Sequence, residues 1–190
     1  MLHQHKQSKK SKSDNWWTPE LAYADLCRIY QFFAILDVCA TSASSKCDWY
    51  IDRNTNALLT DWLVRGKRVL CFCNPPNKEL GKFIDRCYHQ FKTLGVQTML
   101  IVPLNTQTSK AWWRSVQLPM ERGEKIMVRP MDKRINFEHD GHKGDSSING
   151  YAVVIFGRKN THLKKQFPSF CTGISWGAQS RTVAWLGLRN

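Results

Sequence analysis

The sequence predicts an α/β domain with a mainly parallel sheet and helices on both of its faces, and three features of residues 68–103 predict it. Residues 68–73 read as a strand that stops abruptly at Asn74-Pro75-Pro76-Asn77, because neither proline can donate to a ladder. Residues 79–94 place Leu80, Phe83, Ile84, Cys87, Tyr88 and Phe91 at intervals of three and four, one apolar helix face, with Gly95 as its natural stop. Residues 96–103 then form an apolar run containing Thr98, the pattern of a strand buried on both faces. Strand, helix and strand in that order imply a right-handed crossover between parallel neighbours.

The other elements follow from the same signals. Residues 1–13 carry Lys6, Lys9, Lys10 and Lys12 and no acid, so they cannot bury enough apolar surface to offset ordering entropy and are expected to form a flexible basic arm. Thr18-Pro19-Glu20 supplies an N-cap, a proline at the first helical position and an early acid, and Leu21, Ala24, Leu26, Ile29 and Phe32 continue at broadly helical spacing. Residues 34–39 predict a short strand broken only by Asp37, residues 41–46 a polar loop, and Arg65-Gly66-Lys67 a turn after the apolar stretch 57–64. A helix is expected over 109–116, short strands over 125–129 and 134–137, a Gly-, His- and Ser-rich loop over 138–149, and a last strand over 151–156. Beyond Gly157 the chain turns basic and aromatic, which predicts an extension over 158–190 packed on the same domain.

Composition narrows the partners. The 190 residues are 42% hydrophobic and 23% charged, enough for one core and unlike a disordered or collagenous chain. No apolar run approaches the roughly 18 residues of a membrane span, and the first residues lack the apolar region of a signal peptide, so a soluble, cytoplasmic protein is expected, without membrane partners. Lysines and arginines number 28 against 15 acids, a net +13 with a pI near 9.6, and that field attracts polyanions, nucleic acid first among them. The competing reading is a generic basic surface. Seven cysteines, an odd number, fit reduced thiols better than disulfides. Cys71-Phe72-Cys73 has the wrong spacing for a zinc knuckle and the right alternation for a buried strand, so no metal is expected.

In an open α/β sheet, ligands collect beyond the carboxyl ends of the strands. Two polar interruptions fall at such ends: Asp37 with the loop from Ala40, and Asn74-Pro75-Pro76-Asn77. The Asn-Pro-Pro segment followed by a helix resembles the Asn/Asp-Pro-Pro-aromatic signature of S-adenosylmethionine-dependent amino-methyltransferases. Further pieces match in order: Asn15-Trp16-Trp17-Thr18-Pro19-Glu20, Leu36-Asp37-Val38-Cys39-Ala40, Leu59-Thr60-Asp61-Trp62, Gly81-Lys82-Phe83, Lys133-Arg134-Ile135-Asn136-Phe137 and Ala152-Val153-Val154-Ile155-Phe156. Over residues 14–157 the chain resembles the phage-type DNA N-6-adenine methyltransferase (Dam) family.

That resemblance implies a Rossmann-like methyltransferase fold over 14–157 and S-adenosylmethionine as cofactor. It implies that Trp17, Thr18 and Pro19 border the methionine end of the cofactor, that Asp37, Val38, Cys39 and Ala40 form the first cofactor loop, and that Asp61, beside Trp62, approaches the cofactor's adenine amine. Only 23 residues separate Asp37 from Asp61, which leaves little room for the acidic ribose ligand, and Asp52 is its candidate. Taken singly, the same residues have plainer roles: Thr18-Pro19 a helix start, Asp37 a capping group, Asp61-Trp62 a solvated acid beside a core indole.

The signature's chemistry is readable. Adenine's exocyclic nitrogen has its lone pair delocalised into the ring, so it needs hydrogen-bond acceptors that draw it toward a pyramidal, nucleophilic geometry. Asn74 supplies a side-chain carbonyl, Pro75 a backbone carbonyl, and Pro76 rigidity. The family places an aromatic ring after the prolines, where it can stack on an extruded base, whereas this chain has Asn77, an amide with no comparable π face. The expected reaction is methyl transfer to adenine N6 in DNA, double-stranded, in the host cytoplasm if the protein is phage-encoded. Lys82, Arg129, Lys133, Arg134, Lys143, Lys164 and Lys165 are the expected phosphate contacts. Two alternatives stay open: a methyltransferase-fold protein that binds nucleic acid but has lost turnover, and an amino-methyltransferase acting on RNA or on a protein glutamine.

Overall fold

A computed structural model of the protein describes residues 16–139, 142–143 and 150–159. Helix α1, Glu20–Tyr30, turns Ala22, Tyr23, Leu26, Cys27 and Tyr30 to one buried face and ends on Gln31 in the left-handed conformation. Strand β1 is only Leu36–Asp37, shorter than the expected 34–39, and β2 is Trp49–Tyr50. A hairpin follows, β3 Leu63–Val64 and β4 Lys67–Arg68, whose linking residues Arg65 and Gly66 both have positive φ (50° and 73°), the geometry of a tight turn that matches strand twist. Strand β5 is Leu70–Cys73, so the expected strand over 68–73 divides between the hairpin and the main sheet.

A 3-10 turn, Asn77–Glu79, leads into α2, Leu80–Leu94, closed by Gly95 at φ 68°. Strand β6 is Gln97–Pro103. The next helix is composite: α3, Lys110–Trp112, runs through a π-helical turn, Trp113–Gln117, into α4, Leu118–Glu121, with Ser109 Oγ accepting the Trp112 N–H at its start. Strand β7 is Ile126–Pro130, the pair β8 Glu138–His139 and β9 His142–Lys143 forms a small hairpin, and β10 is Tyr151–Phe156.

The main sheet has six strands in the order β2-β1-β5-β6-β10-β7. The pairs β2–β1, β1–β5 and β5–β6 are parallel, whereas β10 lies antiparallel to both β6 and β7. The expected parallel sheet therefore holds for four strands and reverses at β10. Residues 134–137 form no strand: Ile135 and Phe137 are buried as side chains without a ladder, and the pairing falls instead within the expected loop, at β8 and β9.

Alternation assigns the two faces. Leu36, Val38, Cys71, Cys73, Leu100, Val102, Val154 and Phe156 pack toward α2 and the composite helix. Phe72, Met99, Ile101, Val153 and Ile155 pack toward α1 together with Ile135 and Phe137, and Tyr23 sets its ring edge-on to Phe72 at 4.9 Å. Cys71 and Cys73 are fully buried and free, as their alternation predicts.

One polar group sits deep in the α2 side. Gln90 is 0% exposed; its Oε1 accepts the Trp62 backbone N–H at 2.9 Å, and its Nε2 donates to Asp61 Oδ1 at 3.2 Å. Gln90→Leu keeps the volume but orphans the Trp62 N–H, and urea denaturation is expected to report a loss of about 1–3 kcal/mol. Unchanged stability would show that the core supplies another acceptor.

Candidate active site at the carboxyl edge of the sheet

From β1 the chain moves outward to β2 and then returns to pair with the opposite side of β1 as β5. That reversal is the switch point at which an open α/β sheet leaves a crevice. Asp37 ends β1 opposite Phe72 of β5, and Asn74 directly follows β5, so both lie at this crevice. A shallow cleft opens there, lined by Trp16, Trp17, Thr18, Asp37, Cys39, Ser44, Lys46, Phe72 and Asn74.

Asp37 organises the wall. Its Oδ1 accepts the Cys39 N–H at 3.2 Å and its Oδ2 accepts the Lys46 N–H at 3.1 Å, which ties both ends of the loop to one carboxylate. Burial pushes its carboxyl up to about 6, against the opposing pull of the two N–H groups and the Lys46 ammonium. The Lys46 side chain is itself 10% exposed and pairs with Glu20 at 3.3 Å.

Asn74 is oriented from far along the chain. Its Nδ2 donates to the Trp16 carbonyl at 3.1 Å, which leaves Oδ1 as the amide's acceptor. Trp17 in turn exchanges two backbone hydrogen bonds with Glu138, at 2.8 and 2.9 Å, so the segment before α1 is held between the Asn74 amide and the β8–β9 hairpin. Thr18 departs from the expected capping role: Pro19 takes the N-cap position, and the Thr18 hydroxyl is buried in the cleft with no hydrogen-bond partner. Pro75 is buried, Pro76 is extended (φ −62°, ψ 138°) and accepts the Glu79 N–H at 3.0 Å, and Asn77 opens the 3-10 turn exposed to solvent.

Of the candidates read from sequence, the fold brings Trp17, Thr18, Asp37, Cys39 and Asn74 to the cleft, with Pro19 at its rim as the start of α1. Val38 and Ala40 are buried behind it. Asp52 lies just past β2, where its carboxylate accepts the Thr55 N–H at 2.8 Å and is held below its usual range by that bond. Asp61 is exposed on the α2 side and bonded to Arg86 and Gln90. Trp62 is 0% exposed and its indole N–H is committed to the Ala57 carbonyl at 2.9 Å, the core indole of the plainer reading.

Lys133 and Arg134 are exposed just beyond the end of β7 at the same sheet edge, Lys82 is exposed on the first turn of α2, and Arg129 is half-buried in β7. Lys143 lies on β9, and Lys164 and Lys165 fall outside the described residues. Sequence reading missed Trp16, Ser44, Lys46 and Phe72; the only signals for them were the neighbouring Trp17 and the loop and strand in which they sit. Cys39 and Cys73 approach to 3.7 Å between sulfurs, and burial pushes both thiols up, so they stay protonated. Among the described residues no cluster of His, Cys, Asp and Glu is arranged to hold a metal, and no helix is long and apolar enough to cross a membrane.

The family described as DNA N-6-adenine-methyltransferase (Dam) matches residues 5–172. A DNA N-6-adenine-methyltransferase of Haemophilus phage HP1 (strain HP1c1) is 27% identical over 166 residues, spanning 85% of this chain and 90% of the phage protein.

Asp37 gives the cleft a pH signature. Well below its ordinary value of 3.8 the carboxyl is protonated in folded and unfolded chains alike; on raising the pH the unfolded chain ionises first, and the folded chain follows near 6. Wild-type stability measured against Asp37→Asn is therefore expected to fall by up to about 3 kcal/mol between about pH 4 and pH 7, then level off. A rise over that range would mean that the Lys46 ammonium outweighs burial.

Proposed function

Because the chain belongs to the DNA N-6-adenine-methyltransferase (Dam) family, we propose that it transfers a methyl group from S-adenosylmethionine to the exocyclic N6 amine of adenine in DNA. The observation that carries this reading is Asn74, held at the switch-point cleft with its amide nitrogen committed and its oxygen left to accept.

The residues fit the cofactor. An unpartnered buried hydroxyl at Thr18, a nearly buried cation at Lys46 and the aromatic walls of Trp16, Trp17 and Phe72 suit a ligand with both polar and apolar parts. Asp52, further along the edge past β2, is the ribose candidate. Bound there, S-adenosylmethionine supplies an electrophilic methyl group on a sulfonium. The order of strands around the switch point supports a Rossmann-like methyltransferase fold.

The chain's own contribution is orientation and two acceptors. Asn74 Oδ1 accepts one hydrogen of the adenine amine and the Pro75 carbonyl the other, which pulls the nitrogen's lone pair out of conjugation and aims it at the methyl group. Pro76 keeps the acceptors from rearranging. Reaching adenine in a duplex requires extruding it from the stack, with energy recovered from phosphate contacts by Lys133, Arg134, Lys82 and Lys143 and from stacking in the pocket. We assign catalysis to residues 14–157 and phosphate contact to the basic arm 1–13 and the extension 158–190, where Lys164 and Lys165 lie. The net charge of +13 favours DNA over a glutamine side chain, and the place of action we assign is the cytoplasm, that of the host cell if the protein is phage-encoded.

Incubation with S-adenosylmethionine and unmethylated duplex DNA, followed by mass spectrometry of the nucleosides, is expected to yield N6-methyladenine, with Asn74→Ala slower by about 100- to 1,000-fold. No methylated base, with DNA and cofactor binding intact, would favour the turnover-deficient binding protein. The exposed Asn77 motivates that second reading, and Asn77→Tyr separates the two: a large gain in rate would show that the native pocket is impaired, whereas the proposed activity expects none.

A further inference from the structure

Asn74 has different neighbours on its two sides. Toward β1 lies the cleft with Asp37 and Cys39; on the other side β5 pairs with β6, Cys73 in register with Leu100. One residue on, Asn74 is level with Ile101, and β6, about 4.8 Å to the side, runs past that level to Pro103 before the chain turns over the carboxyl edge. A methyl donor seated in the cleft reaches Asn74 from the β1 side, so in-line transfer brings the base from the opposite side, where this turn stands.

The turn is the 3-10 segment Leu104–Thr108, and its backbone is fixed. The Leu104 N–H donates to the Gly150 carbonyl at 2.9 Å, and the two residues pack so closely that a Cβ on Gly150 would meet Leu104 Cδ1 at 2.7 Å. Thr106 is buried, its carbonyl accepts the Ser109 N–H at 2.9 Å, and the Thr108 hydroxyl donates to the Asn105 carbonyl at 3.0 Å. Asn105 and Gln107, on either side of that buried anchor, are exposed, and their side-chain amides have no hydrogen-bond partner among the described residues. Lys110, exposed on the first turn of α3, follows them. A carboxamide presents a donor and an acceptor side by side, the pattern that pairs bidentately with N6 and N7 of adenine in the major groove, whereas an ammonium meets a phosphate as a point charge.

We infer that the turn 104–108 reads sequence: Asn105 and Gln107 contact A·T pairs flanking the target adenine, and Lys110 sets the turn on the DNA backbone through a phosphate. The inference rests on the DNA adenine methyltransferase reading above. It supplies a selectivity that Asn74 and the prolines, which touch only the extruded base, do not.

Steady-state methylation by the full chain of duplex oligonucleotides that differ in one flanking pair at a time tests this. Asn105→Ala and Gln107→Ala are each expected to lower the ratio of kcat/KM between the preferred site and a site changed at one flanking A·T pair by about 5- to 150-fold, at a different position for each, with the affinity for S-adenosylhomocysteine unchanged. Lys110→Gln is expected to weaken binding of every duplex alike and to reduce the salt slope by about one. All three side chains are exposed, so folding tolerates the changes. A wild type with no flanking preference, variants that keep the wild-type preference, or variants that slow every site by one common factor would overturn the inference. Absence of N6-methyladenine from the wild type would overturn the methyltransferase reading itself and this assignment with it.

Discussion

Asp37 places a carboxylate at the end of β1, where burial strips it of water, and the N–H groups of Cys39 and Lys46 that answer it fix the loop walling the cleft. The same residue accepts the Ile51 N–H through its own carbonyl and stands in register with Phe72. One position thus joins β1 to its loop, to the start of the segment after β2, and to the strand that delivers Asn74. Keeping that charge dry is costly, and its bonds add to the loop's others, which include the Thr41–Ser44, Thr41–Ser45 and Ser45–Cys47 contacts of short polar turns and the Ala40 N–H to the Ile51 carbonyl. Lys46 gains its position from this arrangement, since its backbone is held while its side chain lies along the cleft.

The second organising contact is between segments that the chain keeps far apart. Asn74 reaches back to the Trp16 carbonyl, and Trp17 is clamped by Glu138 at the base of the β8–β9 hairpin. The amide that would face the adenine amine is therefore oriented by a segment whose other neighbour belongs to the edge where Lys133 and Arg134 emerge. The cleft, Asn74 and the edge where Lys133 and Arg134 emerge are thus linked through one short stretch of backbone.

Much of this was legible in the sequence where periodicity had room to speak. The β5–α2–β6 unit, Gly95 and the proline stop each carry a strong local signal, and their structural counterparts differ by only a residue or two at the ends. Asp37 and Asn74 were findable because a polar residue interrupting an apolar strand end is rare. Strands of two residues, β1 and β2, are too short to show alternation, and residues 134–137 imitate it: Ile135 and Phe137 alternate because both reach the α1 core, not because they belong to a ladder. That the Trp62 indole N–H is committed to the Ala57 carbonyl is a contact that sequence cannot show. Lys46 was invisible among loop lysines, since its burial arises from the fold around it, as does the unmet hydroxyl of Thr18, which local rules assign to a cap.

The reversed strand β10 is the last element of the sheet in sequence, yet it lies between β6 and β7, and β7 has no other partner in that sheet. During synthesis, therefore, β6 presents an open edge and β7 stays unpaired until residues 151–156 have left the ribosome. The closing step pairs β10 with β6 across some fifty residues of intervening chain, a slow non-local event, while a strand rich in valine and isoleucine waits for its place. Chains interrupted before that point would expose an apolar, adhesive strand edge, so residues 151–156 act as the seal of the sheet as well as one of its inner strands.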